Sequence, residues 1–69
     1  MELSKTVGNN LKSARIYKGL TQTQVAKIFN MTQRQYSRFE NGVFELNYSQ
    51  IVELCKFYSI TPNELFDFE

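Results

Sequence analysis

Gln33, Arg34, Gln35, Ser37 and Arg38 carry, within one short stretch, the donor and acceptor groups that match base-pair edges. A glutamine amide can donate to and accept from adenine at once, and an arginine can fork onto guanine O6 and N7. Tyr36 and Phe39 interrupt this run at the spacing of an inner helical face, so the polar residues share an outer one. Arg38 lies just over one turn beyond Arg34, on the same outward strip. Gln33 and Arg34 occupy the first turn, the part of such a helix that points deepest into a groove. Ser37 and Gln35 flank the strip as weaker candidates. The alternative is that these side chains are simply solvated, so the question becomes what holds the helix in place.

The preceding residues supply the partner. Val25, Ala26 and Phe29 form the inner face of a second short helix, and Ala26 is small enough to let the two helices cross closely. Between them Asn30 stands where the backbone must turn left-handed, which Asn tolerates better than most residues other than Gly. Helix starts recur four times as an N-cap with Gln or Glu three residues later and flanking apolar residues. The caps are Thr21 with Gln24, Thr32 with Gln35, Asn47 with Gln50, and Thr61 with Glu64, the last with Pro62 at the first helical position. A further helix carries Leu3, Val7, Leu11 and Ala14 at helical spacing and stops at Gly19. The sequence therefore predicts an all-α domain of five helices near 4–18, 22–29, 33–41, 48–58 and 62–66. Residues 42–46 form the one loop of any length, and no linker, repeat or strand pattern interrupts a single domain over 1–69.

Residues 22–41, QTQVAKIFNMTQRQYSRFEN, resemble the helix-turn-helix of the phage Cro and cI repressors and the related XRE family. Gln22 opens the first helix of the motif, Ala26 follows four residues later, Asn30 takes the left-handed turn, and Glu40-Asn41-Gly42 closes the second helix. Family members usually carry Gly where this chain has Asn30. The resemblance runs from about Leu11 to Phe66 and implies a compact five-helix, lambda-repressor-like fold with the motif at the second and third helices. It also implies roles. Gln22 and Asn41 would hold the DNA backbone, with Lys12 beside them, while Gln33, Arg34, Ser37 and Arg38 would read bases. Arg15 would bond Glu40 and brace the recognition helix. Many relatives carry Lys or Arg just after the Gly, whereas Val43, Phe44, Glu45 and Leu46 follow Gly42 here. That departure predicts weaker or differently placed backbone contacts and leaves Val43 or Phe44 for another task.

Composition excludes several classes. The 69 residues are 42% hydrophobic and 14% aromatic, which suits a small packed domain rather than a disordered tail. A lone cysteine, Cys55, permits no intrachain disulfide, in keeping with a reducing cytoplasm. No apolar run reaches the length of a membrane span, and no leader pattern precedes the domain. Histidine is absent, as are a Gly-rich phosphate loop and any Cys/His or paired-acid cluster, so neither an enzyme nor a metal or other cofactor is expected. No small-molecule ligand is evident. The net charge of +1 divides unevenly. Up to Arg38 seven basic residues face one acid, giving +6; from Phe39 onward one basic residue faces six acids, giving −5. One face thus suits a polyanion while the other does not.

The core is expected from Leu11, Ala14, Leu20, Val25, Ala26, Phe29, Met31, Tyr36, Phe39, Ile51, Val52, Leu54, Cys55, Tyr58, Ile60 and Leu65. Cys55 reads as a small buried hydrophobe and Tyr36 as packed inward rather than stacked on a base. The leading functional expectation is a cytoplasmic, sequence-specific DNA-binding regulator of prokaryotic or phage type. It would act as a repressor and bind a palindromic or pseudo-palindromic operator as a homodimer. A dimer patch is expected at Phe66 and Phe68, which cannot both face the core after so short a last helix. The competing reading is a protein-interaction module that kept the fold without operator binding. Single-stranded RNA is disfavoured because no exposed aromatic platform with basic neighbours is evident.

Overall fold

Four short segments of this chain each close the same pair of hydrogen bonds around a helix start. In the computed structural model, which describes residues 3–68, the helices are α1 (Leu3–Lys18), α2 (Gln22–Ile28), α3 (Gln33–Glu40), α4 (Tyr48–Tyr58) and α5 (Pro62–Phe66). Thr21, Thr32, Asn47 and Thr61 each accept a bond from the backbone N–H three residues on. The Gln or Glu at that position reaches back to the cap's own N–H, satisfying two otherwise orphaned donors. The predicted spans agree to within one residue, with Phe29 and Asn41 serving as C-caps rather than helical residues. No strand occurs among the described residues.

The helix ends are as uniform as the starts. Gly19, Asn30, Gly42, Ser59 and Asp67 all have positive φ, and after each an N–H reaches back five residues. These bonds are Leu20 to Arg15 at 3.2 Å, Met31 to Ala26 at 2.9 Å, Val43 to Arg38 at 2.9 Å, Ile60 to Cys55 at 3.0 Å and Phe68 to Asn63 at 2.8 Å. At Asn30 (φ 58°) the left-handed turn anticipated from its residue type is present. Three connectors therefore have one pattern: a left-handed residue, an apolar residue, and a capping Thr. They are Gly19-Leu20-Thr21, Asn30-Met31-Thr32 and Ser59-Ile60-Thr61. The middle residues Leu20, Met31 and Ile60 pack against the core. The connector from Gly42 to Asn47 departs from the pattern by inserting Val43, Phe44 and Glu45 before Leu46.

Val7, Leu11, Val25, Ala26, Tyr36, Phe39, Leu54, Cys55, Tyr58 and Leu65 form the buried centre. Ala14, Leu20, Phe29, Met31, Ile51 and Ile60 line it in part. Val52 does not belong to it. The inner stripe of α4 is filled by Ile51, Leu54, Cys55 and Tyr58, and Val52, about 100° round the helix from Ile51, is 47% exposed. Leu3 is likewise exposed at the start of α1. Phe57, absent from the expected core, packs edge-on against Phe29 with ring centroids 5.2 Å apart.

Two residues of α1 explain how the layers meet. Gly8 is buried, and a Cβ built on it would lie 2.3 Å from the Glu40 carbonyl oxygen. Helix α1 therefore crosses the end of α3 backbone to backbone, a distance only glycine permits. Two residues on, the Asn10 side-chain amide donates to the carbonyls of Leu65 at 2.8 Å and Glu64 at 3.2 Å, tying α5 to α1. No helix among the described residues is long and apolar enough to cross a membrane.

Candidate nucleic-acid interface

Helix α3 owes its position to a buried charge at its last residue. The Glu40 side chain is only 1% exposed, and Arg15, 12% exposed, meets it with two parallel bonds. Arg15 Nε donates to Oε2 at 2.7 Å and Nη2 donates to Oε1 at 3.1 Å, while Nη1 donates to the Leu20 carbonyl at 3.0 Å. This fork ties the end of α1 to the end of α3 in the strong bidentate geometry of arginine and carboxylate. Burial by itself would raise the Glu40 pKa. Hydrogen bonds from Arg15, Gln22 and Tyr36 outweigh it, and the carboxyl ends below its ordinary value, ionised at neutral pH.

An ionised carboxylate only accepts, and this dictates the orientation of the next two side chains. Gln22 turns its amide nitrogen to Glu40 Oε1 at 3.0 Å, which leaves its oxygen facing outward. Gln33 must then present its own nitrogen to Gln22, and does so at 2.6 Å. What Gln33 offers to solvent is its carbonyl oxygen and one remaining N–H. That acceptor and donor together match the N6 and N7 edge of adenine. The residue at the front of α3 is thus oriented by the charge at its back.

The remaining candidates differ in how they are held. Arg34 and Lys12 are exposed, and their side chains make no hydrogen bond or ion pair among the described residues. Gly8 and Arg15, which face the end of α3, lie four residues before and three after Lys12, placing it on the adjoining flank of α1. Ser37 is half-buried, and its hydroxyl accepts from the exposed Asn41 amide at 3.3 Å. Gln35 is engaged in the cap of its own helix, with its oxygen accepting from Thr32 N at 2.9 Å, and does not join the outward strip. Arg38 holds its guanidinium carbon 5.2 Å from the centroid of the Phe44 ring.

Beneath the strip, Tyr36 is fully buried, with its hydroxyl 2.6 Å from that of Tyr58 on α4. Burial is the main cause that pushes both phenols above their ordinary values, so they stay neutral. Tyr36 is thereby unavailable to stack on a base. Together with Val25 and Ala26, which are essentially unexposed, it forms the seam along which α2 and α3 cross.

Residues 11–65 match the family described as helix-turn-helix. The chain belongs to the XRE-type helix-turn-helix family. Helix-turn-helix domains work by binding, without catalytic machinery. Two solved structures share the helix-turn-helix fold over nearly the whole chain. One is the DNA-binding domain of BldD from S. venezulae, 24% identical, with a TM-score of 0.81, covering 96% of this chain and 99% of that one. The other is a crystal structure of the DNA-binding domain of BldD, also 24% identical with a TM-score of 0.81, covering 94% of each chain. At this identity the likeness establishes the fold alone. No curated protein matches.

The two phenylalanines near the end of the chain part company. Phe66 is half-buried and packs against the core, lining a shallow apolar groove with Leu3, Val7, Phe44, Leu46 and Ile51. Phe68 is 72% exposed. Cys55 is buried, and desolvation, with Glu64 nearby, pushes its thiol pKa up, away from a reactive thiolate.

Proposed function

We propose that this chain is a sequence-specific DNA-binding transcriptional regulator of prokaryotic or phage type, a repressor that places α3 in the major groove. The observation that carries the reading is the orientation of Gln33, fixed through Gln22 by the ionised Glu40. A solvated surface glutamine needs no such arrangement; one that reads a base gains from it. Gln33, Arg34, Ser37 and Arg38 contact bases, and Gln22, Asn41 and Lys12 hold the backbone. The charge division supports this, with +6 up to Arg38 and −5 beyond. The structural neighbours are DNA-binding domains by name.

In this reading the protein acts as a homodimer on a palindromic or pseudo-palindromic operator, since relatives of this type pair half-sites about one helical turn apart. Phe68, with Phe66 at the edge of its groove, supplies the patch between copies. Selection of duplexes from a randomised pool tests the whole proposal. Enriched sequences with two-fold symmetry are expected, and Gln33→Ala should relax preference at one position at a cost of about 1–3 kcal/mol. Enrichment of nothing above background would remove the function. Retained two-to-one stoichiometry and affinity in a Phe66→Glu, Phe68→Glu variant would place the dimer patch elsewhere.

A further inference from the structure

We infer that Phe44 is a positioning residue for Arg38, a ring that holds the guanidinium at the far end of α3 with its donors free for DNA. The inference rests on the DNA-binding reading above and adds to it a residue on no base-reading strip. Phe44 lies in the one helix-to-helix connector that breaks the three-residue pattern, among the inserted residues Val43, Phe44 and Glu45. The insertion folds back on Arg38 in two ways. The Arg38 carbonyl accepts from Val43 N at 2.9 Å and from Phe44 N at 3.4 Å, fixing the loop to the Arg38 backbone. The Phe44 ring then lies beneath the guanidinium, 5.2 Å from centroid to carbon.

The ring is itself anchored. It leans edge-on against Phe39, with centroids 6.3 Å apart and planes at 65°, and Phe39 is only 8% exposed. A line of support thus runs from the core through Phe39 and Phe44 to Arg38. Contact with an aromatic face leaves the guanidinium N–H groups unused, because those donors lie in the plane of the fork. The Arg38 side chain makes no hydrogen bond or ion pair among the described residues, so the guanidinium donors are unsatisfied by protein. A salt bridge would have fixed the side chain equally well and competed with DNA for it. The ring fixes it without competing, and it lowers the ordering cost of binding. Phe44, which the sequence leaves without a task, thereby stands in for the cation this loop lacks.

The test is a double-mutant cycle on affinity for a duplex selected from a randomised pool, with the Phe44→Leu, Arg38→Met and combined variants. Phe44→Leu should weaken binding about two- to fivefold in the wild-type background and have no effect beside Arg38→Met. Phe44→Tyr, which keeps the ring, should bind like wild type. In the free protein, the Arg38 side-chain protons should show ring-current shielding in NMR spectra that disappears in Phe44→Leu. Equal losses in both backgrounds would make Phe44 a purely structural residue and overturn the inference. Tighter binding by Phe44→Leu would also overturn it, because the ring would then be sequestering Arg38. If the wild type selects no sequence, the DNA-binding reading fails and takes this role with it, even where the shielding persists.

Discussion

The two sides of α3 are secured by opposite kinds of contact. At the α1–α2 side, Arg15, Glu40, Gln22 and Gln33 form a chain of directional bonds in which each donor has one permitted acceptor. Toward α4, α5 and the 43–46 connector, rings and aliphatic side chains do most of the holding around the buried Tyr36–Tyr58 hydroxyl pair, and Val43, Phe44, Tyr48, Val52 and Phe68 remain exposed. Hydrogen bonds specify orientation, while apolar packing specifies position and leaves orientation loose. Gln33, whose amide has two unlike ends, sits where orientation is fixed. Arg38, with donors all round its edge, sits where only position is.

The difference can be broken most forcefully at Arg15. Arg15→Ala leaves Glu40 buried and short of its cation, and a stability loss of about 3–5 kcal/mol is expected in denaturant titration. The Arg15→Ala, Glu40→Ala double variant should lose less than the sum of the single changes; additive losses would mean the pair braces nothing. Gly8→Ala attacks the same side through the backbone. Its new methyl would overlap the Glu40 carbonyl, and a loss of about 2–3 kcal/mol in thermal or chemical unfolding follows.

Acid sharpens the contrast more gently. The folded Glu40 pKa lies below its ordinary 4.5, so Glu40 adds stability that is present above that pH and lost as pH falls through the folded value. Glu40→Gln should be less stable than wild type near neutrality and lose less on acidification. Parallel pH profiles would show that the carboxylate contributes no such linkage. The smallest effect is expected on the other side, at exposed Val52. Val52→Ser should change stability by no more than ~0.5 kcal/mol, and a loss of several times that would return Val52 to the core.

What was legible in the sequence follows the same division between local and distant causes. Helix starts are written within four residues, Thr21 to Gln24 for example, so spacing alone exposes them. Ends at Gly19, Asn30 and Gly42 show through residue type, but Ser59 does not, since serine has no special tolerance of positive φ, and Asp67, of a type that tolerates it better, stands in no motif that marks it as an end. Gly8 gives no local sign of its purpose, because a helical glycine reveals close packing only once its neighbour is known. Val52 falls outside the core because adjacent apolar residues on one helix cannot all face inward. At the candidate site, residue types marked the outward strip of α3. The partners that orient it, Gln22 for Gln33 and Phe44 for Arg38, depend on distances across the fold. Phe66 and Phe68 were separable in principle by helical phase, yet which ring packs depends on the groove beside Leu46.

The three-residue connectors also govern where this chain can change length. In Asn30-Met31-Thr32 each residue completes a different structure: the end of one helix, a plug in the core, the beginning of the next helix. One inserted residue would part these duties and rotate everything downstream, and a deletion would erase one of them. Gly19-Leu20-Thr21 and Ser59-Ile60-Thr61 are closed to insertion for the same reason. Between Gly42 and Leu46 the duties are already apart, so residues can be added after Phe44 without touching a cap or a plug. Heritable variation in loop length is therefore channelled to one place, beside the last turn of α3. A lineage built on this scaffold could alter what that turn recognises by lengthening a loop, leaving the helices untouched.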